Sequence, residues 1–134
     1  MANPTGLRET IQGTLTVRID SNLTDKEGYL VTWDTTDDLV VNIAAAATAP
    51  LEVLLEGANG ATTETTGTIA LAGSIVKVKS GGAISAGDRI TSDSAGKGVA
   101  TTTDKQHYAG IAIENAASGD IFMMKVTPGM VSAT

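Results

Sequence analysis

The chain has 134 residues, no cysteine and a formal net charge of −6 that is unevenly placed: residues 1–66 hold ten acids and three bases, residues 67–134 five acids and six bases. This length suits one domain, the lack of cysteine excludes disulfides and thiolate metal sites, and an acidic chain without clustered bases or many stacking rings is a poor nucleic-acid binder. Apolar residues make up 42 % and the only aromatic residues are Tyr29, Trp33, Tyr108 and Phe122, so small side chains build the core; there is no membrane-spanning apolar run or secretory start in Met1-Ala2-Asn3-Pro4, and the expectation is a soluble protein made in the cytoplasm.

Residues 1–13 have no clear period and read as an N-terminal arm, followed by a single β domain over 14–134. Within the arm, Leu7 and Ile11 are spaced i, i+4 around Arg8-Glu9, so this stretch can become one amphipathic turn on a partner. "TLTVRID" follows, with Leu15, Val17 and Ile19 alternating with polar residues as in a strand with one covered face. Leu7, Arg8, Ile11, Leu15 and Val17 are therefore the candidate partner-binding residues.

"GYLVTW" and "DLVVNIA" are β-rich runs joined by the turn-forming "DTTD", which predicts a hairpin. "AAAATAP" has helical propensity up to Pro50, and "PLEVLLEG" reads as either a short helix or a buried strand. After the polar "GANGATTETTG" comes "TIALAGSIVKVKS", where Ile69 and Leu71 share one parity and Val76 and Val78 the other; a bulge or bend is expected at Gly73-Ser74. Short strands are then expected within "GAISAGDRITSDSAGKGVATT", "YAGIAIE" and "IFMMKV", with Gly87 at positive φ and Pro128-Gly129 as a turn. Strands this short, with turns every 8 to 12 residues or so, predict an all-β barrel or sandwich.

The pattern repeats. "KEGYLVTWDTTDDLVVN" lies over "SAGDRITSDSAGKGVAT", with Asp34 on Asp93, and "LEVLLEGANG" lies over "AGIAIENAAS", with Glu56 on Glu114. This points to an internal duplication, with repeats at 26–80 and 85–128. Neither copy has enough apolar face to stand alone, and two copies closing on each other would make a small barrel.

Sites for chemistry are few. His107 is the only histidine, so metal triads and His-dependent nucleophiles lack parts, and no cofactor is expected. Asp34, Asp37 and Asp38 lack the glycine and distant Glu of a calcium loop and read as a hairpin turn. Gly57 to Gly60 and Gly81-Gly82 lack the Lys-Ser/Thr of a phosphate loop. "NLT" at Asn22 matches a glycosylation acceptor, but no export signal accompanies it. A pair of carboxylates meeting only in space stays open as a hydrolase reading.

Ala86-Gly87-Asp88, Asp93 to Gly96, Gly110-Ile111-Ala112 with Glu114, and Gly119-Asp120 occur in this order, preceded by "PLEVLLEGANG" and "GSIVKVKSGG". In these features the chain, over about residues 28–127, resembles the capsid cement or head-decoration proteins of tailed bacteriophages. The resemblance implies a small turn-rich β-barrel or tulip-like domain and a non-enzymatic structural role. It further implies binding to the outer capsid surface in the virion, with the major capsid protein as partner, often as a homotrimer, and with no nucleic acid, membrane or cofactor. "GANGATTETTGTIALAG" is longer and more Thr-rich than the family pattern. The alternative is a carbohydrate- or surface-binding β module of a phage tail or fibre, with Tyr29, Trp33 or Tyr108 as its platform.

Overall fold

Ten strands and no helix form two five-stranded units in a computed structural model that describes residues 13–19, 23, 26–36, 38–46, 51–56 and 65–132, the side chains of Glu56 and Thr65 apart. In the first unit, β1 (Thr14–Ile19), β2 (Leu30–Trp33), β3 (Val40–Ile43), β4 (Glu52–Glu56) and β5 (Thr65–Ala70) close a barrel in the order β1-β3-β2-β4-β5. β1 completes it by pairing antiparallel with β5 and parallel with β3. The second unit, β6 (Ile75–Lys79), β7 (Arg89–Ser92), β8 (Gly98–Ala100), β9 (His107–Ala112) and β10 (Ile121–Met130), is a sheet in the order β6-β10-β9-β7-β8.

The two units share one strand order. Shifting each strand of the barrel on by five gives the second sheet, and the parallel β1–β3 closure has its counterpart in a single parallel bridge from Ser80 to Gly98. Local turns repeat as well. The Tyr29 N–H bonds Lys26 O across Gly28 (φ 85°), and the Asp88 N–H bonds Ser85 O across Gly87 (φ 95°). Positive φ at the third residue defines a type II turn, which a residue with a Cβ enters only under strain.

Asp34 and Asp93 each open a hairpin in the same way. Asp34 Oδ1 accepts from the Thr36 N–H at 2.7 Å, and Asp93 Oδ1 accepts from the Ala95 and Lys97 N–H groups at 2.8 and 2.9 Å. These are side-chain turns of the kind Asp favours.

Three expectations are settled on folding. Of the two readings of "PLEVLLEG", strand holds: Glu52–Glu56 form β4, which closes the barrel between β2 and β5. The phase change near Gly73 is not a bulge within one strand: β5 pairs with β1 and β4, β6 with β10, and the turn at 71–74 carries the chain from one unit to the other. By pairing, β6 thus groups with β7–β10 and β1 with β2–β5. Pro128-Gly129 is not a terminal turn but an irregularity inside β10, where the register against β9 shifts between Val126 and Gly129. Proline has no N–H to donate, so it is tolerated at such a break in the ladder.

Alternation then sorts the core. Val17, Ile19, Val31, Val41, Leu54 and Ile69 fill the barrel interior with Leu23. Their neighbours Leu30, Val53 and Ala70 point the other way, into a second cluster with Val76, Val78, Ile90, Phe122, Met124 and Val126. β2 and β4 are thus covered on both faces, which is why "YLVTW" and "LEVLLE" read as continuous apolar runs. Backbone bonds also cross the junction: the Leu30 N–H donates to Gly96 O, and the Lys79 N–H to Gly28 O.

Candidate interaction surface

Leu7, Arg8 and Ile11 lie outside the described residues, as do Asn22 and Asp37. Of the other expected partner-binding positions, Leu15 is 36 % exposed on β1, opposite Ile69. Val17 corrects the expectation, because it is 1 % exposed inside the barrel and serves the core, leaving no surface to offer. β1 pairs with β5 along its whole length but with β3 only at Arg18 and Ile19. Residues 14–17 therefore have an edge without a second strand neighbour among the described residues.

Of the carboxylates weighed for chemistry, Asp34 is occupied in building its turn, and Asp88 and Glu114 likewise hold backbone N–H groups. Asp34 also accepts from Thr36 Oγ1 and from Asn42 Nδ2, at 2.7 and 3.0 Å. Asp88 Oδ2 accepts the Ser85 N–H at 2.8 Å, and Glu114 Oε1 the Met123 N–H at 2.9 Å. Among the described residues no three His, Cys, Asp or Glu side chains group as a metal site. Glu52 is half-buried; burial pushes its carboxyl pKa up, partly opposed by the Trp33 indole N–H, which donates to Oε2 at 3.2 Å.

The rings are divided between the units. Trp33 packs on the barrel core, Tyr29 lies under the Lys26 ammonium at 4.7 Å, and Tyr108 lies 5.7 Å from the Arg89 guanidinium in the second sheet. His107 is exposed at the start of β9.

Sequence reasoning missed the outer face of the second sheet. β10 and β6 alternate strictly, so Phe122, Met124, Val76 and Val78 go inward and their neighbours outward. Register aligns those outward positions across strands: Ile75, Lys125, Ile111 and Arg89 form one row across β6, β10, β9 and β7. Lys77 and Met123 form the next, continued by Ile113, whose N–H bonds Met123 O, and Lys79 and Ile121 a third. The signal was present in "IVKVK" and "IFMMKV", each with Lys on the outward parity, but only register sets them side by side.

The family model for phage cement proteins matches residues 12–127, nearly the whole chain. The chain belongs to the phage cement protein family. Membership makes this cement protein a capsid-associated structural component of the virion. Among solved structures, the fold is similar to that of the head fiber gp8.5 N base in bacteriophage phi29, with a TM-score of 0.67 and 22 % identity over 90 % of this chain and 95 % of that one. Among curated proteins no significant match is found.

Proposed function

We propose that this cement protein binds the outer surface of an assembled phage head, without catalysis, and stabilises contacts between major capsid subunits, acting as a homo-oligomer with a trimer favoured. The family match over 12–127 carries this reading. Physical chemistry agrees with it: a cysteine-free β unit with an N-terminal arm, and with residues 14–17 lacking a second strand neighbour among the described residues, gains stability by lending either to a neighbour. A partner that binds only the folded chain raises its apparent stability, so assembly and folding are linked. The test is electron microscopy of heads with the full chain and with residues 1–12 deleted. Added density on the outer shell and a raised disassembly temperature are expected with the full chain, and weaker occupancy with the deletion. Bare heads in both samples would end the proposal.

A second reading, a surface- or carbohydrate-binding module of a fibre, draws on the fold shared with a head fiber base. A glycan-array signal lost in Trp33→Ala, with no affinity for heads, would favour it.

A further inference from the structure

We infer that the outer face of β6, β10, β9 and β7 is the surface that seats this protein on the shell, and that it takes an acidic protein surface with an apolar centre. The inference rests on the capsid-attachment reading and adds to it the docking face and the chemistry of its complement. Rows of Ile and Met separated by Lys and Arg give this face contact area and charge together. Ile113 and Ile121 are 47 % and 59 % exposed, and Met123, Ile111 and Ile75 are only partly buried. Arg89, Lys77, Lys79 and Lys125 are four of the nine bases of a chain whose net charge is −6, and no carboxylate occupies any position in the three rows. Of the acids at its borders, Asp88 and Glu114 each accept a backbone N–H, and Glu114 and Asp120 are exposed.

Charge decides the class of partner. A cationic island on an anionic molecule attracts an acidic surface and repels a second copy of itself, so a two-fold pairing of this face is disfavoured. The corresponding outer face of the barrel is no match either: Thr14, Thr16 and Arg18 are exposed there, opposite Ala70, Thr68 and Thr66. Along β1 and β5 that face is neutral to basic. A different protein, with acids around an apolar centre, complements these rows in both respects.

The test uses heads assembled without this protein, incubated with the purified chain at a fixed concentration. Lys79→Glu/Lys125→Glu and Ile113→Ser/Ile121→Ser are expected to lower occupancy by roughly tenfold or more. Melting and sedimentation should remain those of the parent, and Thr66→Glu, at an exposed position of β5 outside the 14–17 edge, should bind normally. Occupancy of the parent should also fall with added salt, because exposed charges are screened. If the parent decorates heads and both double variants do so equally, the docking face is wrong while the attachment reading stands. If the variants instead lose self-association, the face is a contact between copies and the inference is overturned. If the parent binds no heads, the attachment reading fails and this one falls with it.

Discussion

Phe122→Ala tests whether the two units share their stability. Phe122 is fully buried in the cluster that joins Val76, Val78 and Ile90 of the second sheet to Leu30, Val53 and Ala70 of the barrel. Its ring end packs so closely on β8 that a Cβ added at Gly98 would lie 3.2 Å from Cζ. Strand backbone cannot collapse into the space left behind, so the loss should fall within the usual range of about 3–5 kcal/mol for Phe→Ala. A domain of this size has about 5–15 kcal/mol in total. At about 3–5 °C per kcal/mol, the melting temperature should drop by about 10–20 °C. Trp33, the single tryptophan, packs on the interior of the other unit and reports there by fluorescence, while circular dichroism reports the whole. One shared transition is expected, with both signals shifted equally. A Trp33 midpoint left in place while the dichroism splits in two would refute a common core.

Gly28→Ala should be costlier than Gly87→Ala. Both sites impose positive φ, about 1–2 kcal/mol for an L side chain, but an added Cβ at Gly28 would lie 3.1 Å from Lys77 O, whereas at Gly87 nothing lies within 4 Å. Equal shifts in urea midpoint would count against the close approach of Gly28 to β6. Glu52 has its carboxyl raised by burial, so the folded chain holds this proton to higher pH than the unfolded one. Its contribution is therefore full below the ordinary glutamate value of about 4.3 and is lost as pH rises through the folded value. Glu52→Gln keeps an acceptor for the Trp33 indole and should flatten that part of the stability–pH curve; an unchanged slope would disprove the assignment. Thr91 Oγ1 is buried with no hydrogen-bond partner among the described residues. Thr91→Val should thus raise stability by about 1 kcal/mol in denaturant titration, and a loss would reveal a partner for that hydroxyl.

Much of the architecture was legible because it is written in local chemistry. Gly28 and Gly87, and Asp34 and Asp93, bend the backbone through their own φ preference or carboxylate, so similar strings form similar turns in both units. The alternation of "IFMMKV" likewise separates two faces before any partner is known. Val17 was misjudged because alternation separates the two faces of a strand without saying which one meets a core. The turn at 71–74 was read as a bend for a related reason: nothing local to Gly73 states that β5 and β6 find partners in different sheets.

By itself, the sequence determined the all-β class, the tight turns, the small-residue core and the absence of cysteine chemistry, all of which depend on single side chains and on a period of two. Only the tertiary structure decided that β1 closes the barrel between β3 and β5, that β2 and β4 are covered on both faces, and that Lys79, Lys125 and Arg89 share one outer surface with Ile113 and Ile121. Those outcomes are set by pairing between segments distant in the chain. Such pairing is selected by the joint burial of many side chains at once, which no short stretch encodes alone.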